Sequence, residues 1–414
     1  METRSQLAIR SALQLVNRCG PIISRVSGKA YSLNDDELLE AASKRAGLTD
    51  FGDYPYRQGL RVLLESYREE AELNVIGRFA SREYLVRLLT NLLYLERDRQ
   101  QNPEIEKETI SAPIFMVGLP RTGTTLLHEL LAQDPEHRTP LTWEVMFPSS
   151  TLESPVNEAG QQALCARNLK WFHRMAPEFR QIHAVGAHLP QECIAITAHV
   201  FQSFLFHTFN NVPSYQAWLN QHGYQESYRF HRQFLMQLQH FNGGGRWVLK
   251  APGHLFGLAE LIAEYPDAVI IQTHRDPLRV IGSFSSNTVV LRRAFSDVVD
   301  AHAIASDCMQ QWSAALDRAI PVRDRASNRF IDVMYHDLET QPLEVVRRIY
   351  QAMDRELTPD VAEKMNRYLA ANPKDRNGRH HYSLREFGLD SRRDAEKFEW
   401  YSRRFGIPNE PLAA

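Results

Sequence analysis

From Ser81 to Arg97 the leucines stand at positions 85, 88, 89, 92, 93 and 95, a stripe of helical period. Glu83, Arg87 and Glu96 fall elsewhere on that wheel. Nothing before residue 108 alternates like a strand, so residues 1–110 are predicted to form a helical N-terminal domain. The texture changes at Ser111. Four short apolar runs follow, Ile114–Val117, Trp247–Leu249, Ala268–Thr273 and Phe330–Met334, and each leads into a helical pattern: Thr124–Ala132, Leu255–Glu264, Leu278–Asn287 and Leu343–Met353. Continuous apolar runs suit strands buried on both faces, and the β-then-α alternation predicts an α/β domain over residues 111–414. Its centre is a P-loop-like parallel sheet flanked by helices. Between the first and second runs, residues 150–245 form a helical insertion rich in Phe, Tyr and Trp. Those rings can pack the insertion against the sheet or line an apolar pocket on the acceptor side.

Composition narrows the function classes. The 414-residue chain carries a formal net charge of −2, so no global basic field points to nucleic acid or an anionic membrane. An anion site must therefore be local. Cys19, Cys165, Cys193 and Cys308 stand far apart, with neither disulfide nor zinc-site spacing, which makes a reducing cytoplasm the expected compartment. No run approaches about 18 apolar residues, so no transmembrane segment is expected. Near the N-terminus, Arg10, Gln14 and Asn17 interrupt what could otherwise be a signal core. Oligomeric state cannot be read from the sequence.

The chemistry concentrates in Ile114–Leu131, IFMVGLPRTGTTLLHELL. A buried strand ends at Gly118 and a helix opens near Gly123, so the backbone N–H groups of the loop converge on an anion at a helix start. The spacing is that of the nucleotide loop G-x-x-x-x-G-K-[ST], but Thr124 takes the lysine position and the positive charge has moved to Arg121. A kinase or ATPase would lack its phosphate lysine and its acidic metal-binding strand. A second signature, THRDPLRVIGSFSS, ends a strand at His274–Arg275. Asp276 is placed to cap the next helix, Pro277 suits its first turn, and Ser283 follows on that helix.

P-R-T-G-T-T resembles the 5′-phosphosulfate loop of sulfotransferases, above all the bacterial and tyrosylprotein families. Arg275 with Ser283 is similar to the 3′-phosphate element of that family, and Val248–Pro252 (VLKAP) to its L-K-x-P element, with Lys250 at the phosphate–sulfate bridge. The Tyr335–Leu338 segment resembles a structural Y-E-D-L, with His336 in place of the acid. His380–Leu389 is similar to a tail element that would bring His381 and Tyr382 towards the nucleotide. The resemblance runs from Pro113 to Ile407 and is thin over the aromatic insertion. It implies a sulfotransferase using 3′-phosphoadenosine-5′-phosphosulfate and no metal, with 3′,5′-adenosine bisphosphate as product. Arg121, Thr122, Gly123, Thr124, Thr125, Lys250, Arg275 and Ser283 would hold the donor, and Arg121 and Lys250 would stabilise charge on the leaving phosphate.

The acceptor hydroxyl needs a base. Glu144, in PLTWE, has the placement of the glutamate in tyrosylprotein sulfotransferases. His188, in HLPQEC, resembles the histidine of the cytosolic enzymes, and Glu192 lies four residues on. All three remain open. The aromatic insertion favours a hydrophobic alcohol, phenol or lipid as acceptor. A P-loop nucleotide kinase, or a non-catalytic nucleotide-binding protein, are the competing readings.

Overall fold

The computed structural model describes residues 31–149, 158–179, 184–373 and 382–410. Helices α1 (Asp35–Ala46), α2 (Tyr56–Glu69) and α3 (Val75–Gln101) come first. Asn34 and Asn74 cap α1 and α3 by accepting from Glu37 N and Gly77 N. All six stripe leucines of α3 are buried.

Five strands follow, β1 (Ile114–Gly118), β2 (His137–Arg138), β3 (Arg246–Lys250), β4 (Val269–His274) and β5 (Phe330–Met334). They pair in parallel in the order β2-β3-β1-β4-β5. Ile114 stands in register with Val248 on one side and Val269 on the other. The two-residue β2 was not among the predicted strands, because a polar His-Arg pair carries no apolar run to announce it. The remaining elements are α4 (Thr124–Leu131) and α5 (Thr142–Met146), then α6 (Glu158–Met175), α7 (Cys193–Thr197), α8 (Leu205–Phe209), α9 (Pro213–His222) and α10 (Gln225–Asn242) in the insertion. After β3 come α11 (Leu258–Glu264), α12 (Pro277–Arg293), α13 (Ala301–Arg325), α14 (Tyr335–Thr340), α15 (Pro342–Ala352), α16 (Pro359–Ala371) and α17 (Glu399–Phe405).

Strand pleat sorts the core into two layers. Ile114 and Met116 face one side with Val248 and Ile271, against Leu127, Leu131, Val346 and Ile349. Phe115 and Val117 face the other with Leu249 and Ile270, where the N-terminal helices and the insertion join the same cluster. Among the insertion rings, Phe201, Tyr215 and Phe230 are wholly buried, and Phe204 stacks on Phe256 at 4.9 Å and meets Trp312 edge-on at 5.3 Å. At the far edge Asp332 accepts from both Arg323 nitrogens at 2.6 Å and contacts His274 Nε2 at 2.7 Å. Tyr401 of α17 meets His274 Nδ1 at 2.8 Å, which fastens the C-terminal helix beside β4. Among the described residues no helix is long and apolar enough to cross a membrane.

Burial leaves several histidines neutral. His128 Nε2 meets Val248 O at 2.9 Å and His231 Nδ1 meets the Tyr265 hydroxyl at 2.7 Å; desolvation pushes both down to about 3. The unfolded chain takes up these protons below about pH 6.5, whereas the folded chain does not. Stability from these two groups is therefore complete above pH 6.5 and declines as pH falls towards 3. Each contributes a slope of about 1.4 kcal/mol per pH unit in that window. Denaturant titrations between pH 7 and 5 should show the decline, and His128→Gln should flatten it by about one proton.

Candidate active site

The loop between β1 and α4 lies at the carboxyl end of the sheet, where open α/β folds place ligands. Gly118 has φ +132°, and a Cβ there would stand 2.5 Å from Thr273 O. Gly123, with φ +85°, caps α4, and a Cβ there would strike Leu338 at 2.8 Å. Between them Arg121 itself is held at φ +64°, a conformation a non-glycine residue adopts only when its surroundings impose it. Thr122 does the imposing from inside. It is fully buried, donates to Leu119 O at 2.8 Å, and shares a 2.5 Å hydrogen bond with the Thr273 hydroxyl. Its hydroxyl is thus a brace between loop and β4.

Two charge clusters result. In the first, Arg121 Nε donates to Ser283 Oγ at 3.3 Å, and Arg275 Nη1 donates to Arg121 O at 2.9 Å. Burial, and then the Arg275 charge, pull the Arg121 guanidinium below its usual basicity. Two cations held this close define an anion site. Asp276 accepts from Leu278 N and so starts α12, which carries Ser283 to the cluster. The Arg275 guanidinium lies 4.0 Å from the Tyr335 ring centroid and donates through Nε and Nη2 to the two oxygens of Glu410, each at 2.8 Å. Burial opposes its charge, but the hydrogen bonds to Glu410 win and raise its basicity. Tyr382 donates to Arg279 O, with its ring against Gly282; His381 lies outside the described residues.

The second cluster is built on Lys250, buried at the end of β3. Its Nζ donates to Glu192 Oε1 at 2.6 Å and to Thr125 Oγ1 at 3.1 Å. Thr124, also buried, opens α4 beside it. Of the three base candidates, Glu192 alone lines the adjoining cavity. His188 is exposed, because the backbone around it is tied to the start of α5 through Thr142 N to Leu189 O and Trp143 N to Ala187 O. Glu144 is buried with both oxygens taken. Oε1 accepts from Arg138 at 2.9 Å and Asn242 at 3.0 Å, and Oε2 accepts from Leu141 N at 2.9 Å. Arg138 in turn stacks on Trp247.

The cavity that meets both clusters has a volume of about 1350 Å³, above the usual range for small-molecule sites. Phe172, Phe204, Phe206 and Phe209 of the insertion line it, so the aromatic residues divide between core and cavity wall. Along α3 the lining runs from Ile76 to Tyr94, a distance of about 27 Å at helical rise. Sequence periodicity missed α3 as a wall because its polar positions look like a solvated face. Glu410 was missed because it lies 135 residues from Arg275 in the chain.

A parallel α/β sheet, an arginine-bearing loop at its carboxyl end and a long apolar cavity together fit a protein that transfers a group from an anionic donor. The chain belongs to the sulfotransferase family, whose profile matches residues 113–359, and is a sulfotransferase. The solved structure of sulfotransferase STF1 from Mycobacterium tuberculosis H37Rv is 32% identical and superposes with a TM-score of 0.78, covering 89% of this chain and 98% of that one. Sulfotransferase STF9 from Mycobacterium avium is 26% identical, with a TM-score of 0.79 over 92% and 98%. The omega-hydroxy-beta-dihydromenaquinone-9 sulfotransferase Stf3 of Mycobacterium tuberculosis is 28% identical over 283 residues, 64% of this chain and 68% of Stf3.

Glu144→Ala is expected to cost about 3–5 kcal/mol of stability, the range for leaving one member of a buried ion pair behind. Arg138, pinned on Trp247, would have no counterion. Chemical denaturation measures this, and a loss below 1 kcal/mol would contradict the assigned bracing role.

Proposed function

We propose that the protein transfers a sulfuryl group from 3′-phosphoadenosine-5′-phosphosulfate to the hydroxyl of a hydrophobic alcohol, phenol or lipid. The observation that carries this reading is the meeting of two cationic clusters, Arg121–Arg275 and Lys250, at the reactive end of one long apolar cavity. The donor set suits a bisphosphorylated nucleotide. The amides of Gly123, Thr124 and Thr125, with Arg121, receive the 5′-phosphosulfate at the start of α4. Arg275 and Ser283 receive the 3′-phosphate, the guanidinium offering a planar fork and the hydroxyl one further donor. That Stf3 acts on an omega-hydroxylated menaquinone supports a lipid-like acceptor.

In the transfer the acceptor oxygen attacks sulfur, the bond from sulfur to the bridging phosphate oxygen breaks, and 3′,5′-adenosine bisphosphate leaves. Glu192 takes the acceptor proton, and Lys250 turns its ammonium to the bridging oxygen as negative charge gathers there. Their 2.6 Å contact holds the two groups side by side until substrate separates them. Glu192 replaces Glu144 as the preferred base because its carboxylate reaches the cavity.

Transfer of labelled sulfate from the donor to long-chain alcohols tests the reading, alongside a thermal shift with 3′,5′-adenosine bisphosphate in the absence of magnesium. A shift seen only with ATP and magnesium would overturn it in favour of a kinase. Glu192→Gln should bind the bisphosphate normally and lose about 10²–10⁴ in turnover; near-parental turnover would remove it from the mechanism.

Glu410 stands on the fork assigned to the 3′-phosphate, so donor binding must displace it. Glu410→Gln should tighten 3′,5′-adenosine bisphosphate by about tenfold, the worth of one competing charge-assisted contact. AMP, which lacks the 3′-phosphate, should gain nothing. Equal gains for both nucleotides in calorimetric titration would place the 3′-phosphate elsewhere.

A further inference from the structure

The cavity wall formed by α3 presents Tyr84, Arg87, Asn91 and Tyr94 on successive turns. The polar groups near Arg87 are already engaged. Asn91 Nδ2 reaches Met146 O and His199 Nε2, and His199 Nδ1 reaches Ile196 O. Glu83 is held by Arg45 at 2.8 Å and by Arg82 at 3.0 Å. Glu83 and Glu192 are the carboxylates that line the cavity among the described residues, and Glu192 is bound to Lys250.

Arg87 differs from all of these. Among the described residues no hydrogen bond or ion pair is made by its guanidinium, whose carbon lies over the Tyr84 ring at 5.2 Å from the centroid. Desolvation lowers its basicity, with only smaller opposing help from Tyr84, Cys165 and Glu83. An arginine cannot shed its proton to escape such a setting, and this half-buried guanidinium opens to the cavity with no carboxylate in contact. One face rests on tyrosine, which leaves the five N–H donors at the guanidinium edge for an oxyanion.

We propose that Arg87 binds an oxyanion carried by the acceptor, so that the acceptor is an amphiphile with a hydroxyl at one end and a carboxylate or phosphate further along an apolar chain. The hydroxyl end of this assignment rests on the sulfuryl-transfer reading; the anionic end rests on Arg87 and the cavity. The long wall of α3 suits an extended hydrocarbon between the two, and Arg167, also on the lining, adds positive charge.

The test is equilibrium binding, which needs no turnover. 12-Hydroxydodecanoate, 12-hydroxydodecyl phosphate and 1,12-dodecanediol are titrated into the full chain and into Arg87→Met and Arg87→Lys, and the series is repeated with sixteen and twenty carbons. At the best chain length an anionic ligand should bind about 10–100-fold more tightly than the diol, the range for a desolvated ion pair. Arg87→Met should bring anion and diol within about threefold, while Arg87→Lys should keep part of the preference because the point charge remains. The ratio of carboxylate to phosphate identifies the anion. Binding of 3′,5′-adenosine bisphosphate to each variant reports an intact fold. Equal binding of anion and diol at every length, or an undiminished preference in Arg87→Met, would overturn the proposal. Anion preference without sulfate transfer would leave Arg87 in place and sink the transfer reading instead.

Discussion

A methyl group at Gly118 would stand 2.5 Å from the carbonyl oxygen of Thr273, closer than any side chain tolerates. The end of β1 therefore presses on β4, and the rest of the site is referred to that approach. It brings the Thr122 hydroxyl to the Thr273 hydroxyl and turns Arg121 into the left-handed region. The Arg121 carbonyl then comes within reach of Arg275, which has just left the end of β4. Any side chain at 118 would part the strands and unseat both guanidiniums together. Strand contact and anion site are one constraint expressed twice.

The same dependence explains what could be read from the residues. Strands β1, β3 and β4 were legible because burial on both faces leaves an apolar run, and the edge strand β5 because Phe330, Ile331, Val333 and Met334 flank its exposed Asp332. The loop was legible because glycine spacing at a strand-to-helix turn has few other physical uses. The side-chain partners of Glu144 were not. Its neighbours in sequence, Thr142 and Trp143, give no hint that Arg138 and Asn242 close on it, since that pairing is made by the return of α10 to the edge of the sheet. His188 failed to reach the cavity for a related reason: its peptide neighbours are spent on pinning α5. Arg87 was hidden by the assumption that polar positions on an amphipathic helix face water, whereas α3 turns that face to a cavity.

Thr122 shows how a loop residue's side chain can serve the fold while its backbone stays in the motif. It lies in the middle of the loop, but its hydroxyl points inwards and is wholly buried. Losing that hydroxyl would loosen the loop without removing a donor to the anion. Thr125, two helical positions beyond Gly123, takes the other part, since its oxygen accepts from Lys250 at the cavity edge.

The cations of the site also explain how a chain of net charge −2 can gather so much local positive charge in a desolvated place. Lys250 and Arg275 each hold an internal carboxylate, Glu192 and Glu410, in hydrogen-bond contact. On the proposed reading those carboxylates stand where oxyanions of a substrate would stand, so these two cations are already paired and donor binding becomes an exchange of anions. Exchange lowers net affinity, because part of the Coulomb gain is spent on releasing the resident carboxylate. It also gives discrimination, since a ligand without the matching charge cannot displace a bidentate contact. In the proposed transfer the carboxylate displaced at Lys250 is put to use, since Glu192 would take the acceptor proton as the lysine turns to the leaving oxygen. Arg87 has no such stand-in. An oxyanion of the proposed acceptor would meet a cation with no carboxylate in contact to evict. Under the two proposals the donor end would work by exchange, which favours selectivity, and the acceptor end by direct attraction.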